Sequence, residues 1–277
     1  MSQPLSLTDR TALMRNRTRA RRGDAALFLH DAAAAEIKER LTLVNRRFTR
    51  PAIVTGFPEI WANLLPKAVV VADTDTLDLR PLAHDLVVHG MALHWANDPV
   101  GQLIQCLRAL KPDGLFLAAL PGGRSLQELR ASLAEAETRL TGGLSPRVLP
   151  MGEIRDLGGL LQRAGFALPV ADSLCLNASY RDLFHLGRDL RAMGEGNALA
   201  LRRRRPSPRR LFAAAAQTYA ANYPAADARI AATFELIFLT GWSPDPSQQQ
   251  PLKPGSARAR LADALNPTSL PPIRTSS

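Results

Sequence analysis

Residues 84–123 read HDLVVHGMALHWANDPVGQLIQCLRALKPDGLFLAALPGG. Two apolar runs, Leu86–His89 and Leu115–Leu120, flank a segment with a different period. In that segment Val100, Leu103, Ile104, Leu107 and Leu110 recur every three or four residues, the spacing of one face of a helix. Asp98 is placed to cap this helix, Pro99 suits its first position, and Lys111-Pro112-Asp113-Gly114 stops it and turns the chain. The flanking runs do not alternate apolar with polar residues, as expected of strands buried on both faces of a parallel sheet. Strand, helix and strand in this order make a crossover unit, which predicts an α/β fold.

The same signals continue in both directions. Ala52–Thr55 and Ala68–Ala72 are two further apolar runs of strand length. Upstream of them, Leu29, Ala33, Ile37, Leu41 and Val44 have helical spacing. Downstream, Ser125 and Glu128 stand at capping-box spacing before a leucine-rich helix. Another helix follows over 151–165, with Gly165 placed as its C-terminal cap. A strand is expected over 166–176, helices over 180–195 and 208–223, and a final antiparallel strand over 233–242. The basic N-terminus is expected to be loosely ordered to about Gly23, and the chain after about Leu265 to be disordered. The predicted organisation is a basic N-terminal helical segment over 1–48, a main domain over 49–265 with a helical cap inserted at 177–230, and a tail over 266–277.

The chain has 277 residues, 46% of them hydrophobic, enough for one sizeable core. No apolar run in its central part approaches the length needed to cross a bilayer, so no transmembrane segment is expected. The first residues lack the apolar core of a secretory signal, and the expected location is cytoplasmic, including the periphery of the inner membrane. The two cysteines, Cys106 and Cys175, form no CxxC pair. His84, His89 and His94 recur every five residues, a spacing that gives no shared face in a strand or a helix, so no metal site is expected. The formal charge is +10, and much of the excess lies in two runs, Arg15 to Arg22 and Arg202 to Arg210. These are either solvated loops or weak contacts for an anionic surface: nucleic acid, anionic lipid heads or an acidic protein.

Several strings go further than pattern. LHWANDP at 93–99, LKPDG at 110–114, SLQELRASLAEAET at 125–138, GGLSPRVLPMGEIRDLGGLLQRAGF at 142–166, DLRAMGEGNA at 189–198, LTGW at 239–242 and KPGSA at 253–257 occur in one order along most of the chain. They resemble the class I methyltransferase-fold family. More narrowly, they are similar to its complex I assembly arginine-hydroxylase group, and more distantly to the malonyl-carrier-protein O-methyltransferases of biotin synthesis. The resemblance implies a mostly parallel, Rossmann-like sheet of seven strands with helices on both faces, a helical N-terminal segment and a C-terminal helical cap. It also implies S-adenosylmethionine bound at the carboxyl ends of the strands, and a protein substrate belonging to complex I, acted on by methyl transfer or arginine hydroxylation. A non-catalytic assembly chaperone on the same fold is the alternative.

One departure from the family stands at residues 51–61, PAIVTGFPEIW, where members carry an acidic residue and a Gly-x-Gly loop. Glycines there let the backbone approach the cofactor, and the next helix offers free N–H groups. Here Gly56 alone remains, followed by the bulky Phe57 and by Pro58. The chain between Gly56 and Asp85 is also too short for a full second and third strand with their helices. Asp73 is the best surviving acid for the ribose, or else part of a polar turn with Asp75. The residues expected at a cofactor site are therefore Gly56, Asp73, Met91, His94 and Trp95. Trp95 either walls the pocket or packs the sheet against the N-terminal helix. On the substrate side, Glu195 can pair with a guanidinium or sit in a helix-end polar cluster. Gly122 and Gly123 either keep the rim open or make the turn after a strand. No residue is assigned a catalytic role.

Overall fold

The computed structural model describes residues 6–23 and 25–249. The described residues up to Asp245 form one compact unit. The KPGSA string and the expected tail at 266–277 lie outside the described residues.

Six strands form one sheet: β1 (Pro51–Thr55), β2 (Val69–Val71), β3 (His84–Gly90), β4 (Leu110–Pro121), β5 (Ala167–Tyr180) and β6 (Ile230–Trp242). Their order is β2-β1-β3-β4-β6-β5. The β1 strand pairs in parallel with β2 and β3, and β3 with β4, while β6 runs antiparallel between β4 and β5. The four apolar runs of the sequence are β1 to β4. Ile53, Leu86, Val88, Leu115 and Leu117 face one side, and Ala52, Val54, Val87 and Phe116 face the other. All nine are buried, which explains the missing alternation.

On the first side pack α2 (Phe28–Leu43), α3 (Pro58–Leu64), α5 (Gln127–Thr141), α7 (Leu183–Ala192) and α8 (Arg209–Asn222). On the second pack α4 (Pro99–Ala109) and α6 (Ile154–Ala164). Asp98 caps α4 by accepting from Gly101 N–H at 2.8 Å, with Pro99 at the first turn, and Gly165 ends α6 at a φ of +92°. The turn read at 111–114 is present, with Asp113 at a φ of +58°, but the strand ladder already starts at Leu110, opposite His84.

Three expectations are corrected. The N-terminus is not loosely ordered: Arg10–Arg22 forms a helix, α1, capped by Asp9, which accepts from Ala12 N–H at 3.0 Å. The described sheet has six strands rather than seven. Its second strand, β2, is an edge strand of three residues, and residues 72–83 hold no further strand. The chain is too short there for another crossover, as its length indicated. Ser125 and Glu128 do not form a capping box, because both are drawn to β6 instead. Ser125 Oγ donates to the Glu235 carbonyl and accepts from its N–H, and Glu128 accepts from the Thr233 hydroxyl and N–H.

Candidate functional site

In a doubly wound sheet the ligand crevice opens at the carboxyl ends of the strands, where the chain leaves neighbouring strands in opposite directions. Here that place is the end of β1 and β3, with Gly56 and Phe57 on one side and Met91 to Trp95 on the other. Asp73 follows β2, the strand next to β1.

The crevice between these residues is filled by the protein's own side chains. Arg10, Arg17 and Arg21 are spaced by seven and four residues, so they share one face of α1. Arg17, only 1% exposed, donates from Nη1 to Asp73 Oδ1 at 2.6 Å. Arg10 adds a contact to Asp73 Oδ2 at 3.4 Å and a hydrogen bond to its carbonyl. Arg21 donates to the Gly56 carbonyl and, at 3.1 Å, to Glu59. A Cβ built on Gly56 would lie 2.3 Å from the Arg17 guanidinium carbon. The glycine therefore admits an arginine, where the family admits a cofactor.

The loop after β1 is likewise closed from within. Thr55 Oγ1 donates to the Gly90 carbonyl at 3.0 Å and accepts from Phe57 N–H at 3.1 Å, so that donor is already taken. The Phe57 ring packs on His30 at 4.7 Å and lies under the guanidinium of Arg21 at 5.2 Å. Trp61 is fully buried and donates from Nε1 to His30 Nδ1 at 3.1 Å. Gly90 is pressed on the Trp61 ring, since a Cβ there would come within 2.5 Å. Substituting Gly90→Ala is expected to destabilise the fold by about 1–3 kcal/mol through overpacking, seen as a lower urea midpoint at unchanged slope. The atoms of S-adenosylmethionine do not fit beside Gly56 and Asp73 in this arrangement.

The surroundings of Met91, Trp95 and Glu195 are different. Met91, Trp95 and Glu195 line one cleft of about 80 Å³ together with Ser125, Leu129 and Arg147. Glu195 Oε2 accepts from Trp95 Nε1 at 2.8 Å and lies 3.2 Å from His94 Nε2, while Oε1 has no hydrogen-bond partner. Burial pushes the Glu195 carboxyl up, but His94, Arg17 and the Trp95 indole together hold it down, to about 2. It is therefore an anion with one buried oxygen left unpartnered. Trp95 also packs against Ala12 and Leu13 of α1. Gly122 abuts Ile237 and Gly123 abuts Glu153, with no room for a Cβ at either.

The sequence-predicted residues thus separate into two groups. Met91, Trp95 and Glu195 come together around the open cleft, with His94 on Glu195, whereas Gly56 and Asp73 are shut off by Arg17. Arg17, His30 and Thr55 were not among the expected residues. The signal for the first was the spacing Arg10, Arg17, Arg21, masked by its place in a basic run. Among the described residues no three His, Cys, Asp or Glu side chains gather in a way that could hold a metal ion. No helix among them is long and apolar enough to cross a membrane.

The methyltransferase domain family matches residues 32–118. The chain is 39% identical over 199 residues to the mitochondrial arginine-hydroxylase NDUFAF5 of Danio rerio, covering 72% of this chain and 62% of that protein. It is also 39% identical to the Homo sapiens NDUFAF5 arginine-hydroxylase over 199 residues, 72% of this chain and 57% of that one. A malonyl-[acyl-carrier protein] O-methyltransferase of Methylovorus sp. (strain MP688) is 33% identical over 210 residues, 75% of this chain and 64% of that protein. The chain thus spans about three fifths of the length of these relatives. Taken with the parallel β2-β1-β3-β4 half-sheet and its antiparallel β6, this similarity means that the chain has the class I methyltransferase fold.

Proposed function

We propose that this chain serves respiratory complex I assembly as a protein-binding factor built on a methyltransferase fold, without S-adenosylmethionine. The observation that carries this reading is the buried Arg17–Asp73 pair, which puts the protein's own guanidinium at the ribose acid. Support for the assembly role comes from the similarity to the NDUFAF5 proteins, and the partner under this reading is a complex I subunit. Its binding surface is the cleft of Met91, Trp95 and Glu195, where an aromatic wall and a buried, unpartnered carboxylate oxygen suit a guanidinium.

A second reading, in which the chain is a methyltransferase-class enzyme that methylates or hydroxylates a protein arginine, is favoured by one observation. Asp73 is kept at the end of β2, where a ribose acid belongs. Under it, α1 withdraws Arg17 and the cofactor enters. Titration calorimetry separates the two. The expected result is no heat with S-adenosylmethionine at millimolar concentration, together with saturable binding of a complex I subunit that Glu195→Ala weakens by tenfold or so, equivalent to about 1.4 kcal/mol. Saturable cofactor binding below about a millimolar would establish the second reading instead.

A further inference from the structure

The two arginine runs, far apart in sequence, meet on one helix. Arg202 Nη2 and Arg204 Nη1 both donate to Asp9 Oδ2 at 2.9 Å, and Asp9 is the N-cap of α1. The backbones are tied at the same point, Ala200 N–H donating to the Leu7 carbonyl at 2.9 Å and Asp9 N–H to the Ala198 carbonyl at 2.8 Å. Within each run the arginines divide. Arg17 is buried and Arg21 is tied to Gly56 and Glu59, as described, while Arg15, Arg19, Arg22, Arg203 and Arg205 are exposed. Among the described residues none of these five has an ion pair.

The neighbouring helix α7 adds to the same face. Phe184, Arg188 and Arg191 follow one another at i, i+4 and i+7 and are all exposed, whereas Leu183 and Leu186 are buried. Asp189, on the same helix, hydrogen-bonds Tyr180. Arg19, Arg188 and Arg191 line a cleft of about 410 Å³ between α1 and α7, with Asn16 and Ala20 in its wall. Apolar side chains on the same segments are exposed as well: Leu7, Phe184 and Leu201 are 37%, 53% and 69% exposed.

We propose that this face of α1 and α7 docks on an anionic phospholipid surface. The unpaired arginines take the phosphodiester groups, those of the cleft foremost, and the apolar side chains enter the boundary between headgroups and acyl chains. Arginines alone would suit nucleic acid equally well. Protruding aliphatic and aromatic side chains among them gain from a bilayer and gain nothing from a phosphate backbone, which decides for lipid. The proposal is independent of whether the crevice accepts a cofactor.

Sedimentation of the full chain with vesicles tests it. At low salt the protein is expected to sediment with phosphatidylcholine vesicles containing roughly 30 mol% phosphatidylglycerol, and not with phosphatidylcholine alone. Raising the salt releases it. The double substitution Arg188→Ser, Arg191→Ser is expected to weaken partitioning about 20-fold, near fivefold for each charge removed. Phe184→Ser with Leu201→Ser weakens it without changing net charge. All four positions are exposed, so an unchanged thermal midpoint is expected in both variants; the comparison of lipid compositions needs no variant at all. Failure of the wild type to bind anionic vesicles at low salt would overturn the proposal. So would tighter binding to generic duplex RNA or to an acidic protein than to the vesicles, or full binding by both double variants.

Discussion

Replacing Arg17 with methionine is expected to destabilise the folded chain by about 3–5 kcal/mol, because it leaves the Asp73 carboxylate buried without its charged partner. Methionine retains most of the aliphatic volume, so the loss reports the charge more than a cavity. The contact from Arg10 to Asp73, at 3.4 Å and with the Arg10 side chain 22% exposed, cannot replace it. Asp73→Asn on its own leaves a buried guanidinium in the same difficulty, and the two substitutions together are expected to cost less than their sum. A double-mutant cycle by urea unfolding measures this coupling. A loss below about 0.5 kcal/mol for Arg17→Met would show that the pair does not hold α1 on the sheet.

Acid is expected to weaken the fold early, from about pH 6.5 downward. His30 and His89 are buried, and burial pushes both down from the ordinary histidine value to about 4. His30 Nδ1 accepts from the Trp61 indole, and His89 Nε2 faces Gln102 Oε1 at 3.0 Å, so each is built in as a neutral ring. Between pH 6.5 and 4 the unfolded chain binds these two protons and the folded chain does not. Stability from the pair is therefore complete above 6.5 and is lost as the pH falls toward 4. At pH 5 the loss is about 2 kcal/mol for each ring, about 4 kcal/mol together. Below about 4.5 the Glu137 carboxylate, held down to about 2 by Arg147, begins to add its own loss in the same direction. Urea midpoints at pH 7 and pH 5 check this. Equal midpoints would mean that one or both rings titrate normally in the folded chain.

How far the sequence could be read depended on where each residue finds its partner. Val54, Val87 and Leu117 announce a sheet buried on both sides, because burial requires nothing but apolar side chains. Asp98, Pro99 and Gly165 announce helix ends, because their partners lie within three or four residues. Ser125 and Glu128 misled for the opposite reason. Their partners, Glu235 and Thr233, lie more than a hundred residues away on β6, and no local spacing records that. The N-terminal helix was missed because its buried face holds only Ala12, Leu13 and Ala20 beside an arginine. Arginine counts as a surface residue in any pattern, yet Arg17 is among the most buried side chains of the molecule. Met91 and Trp95 were named through the resemblance for the cofactor and Glu195 for the substrate side, and nothing in their spacing recorded that the three line one cleft. The crevice was legible only as a defect, since Phe57 showed what was lost from the loop and not what replaced it.

That replacement is covalently tethered. Arg17 belongs to the same chain as Asp73, so its local concentration never falls, whatever the protein is diluted to. A free ligand meets a competitor it cannot outrun. If the closed arrangement is favoured by about 3 kcal/mol, the open form is under one per cent of the population, and any ligand that needs it binds roughly 150-fold more weakly than its intrinsic affinity. Metabolite levels adequate to saturate an ordinary relative would then leave this protein empty, and only a partner able to lift α1 would change its response.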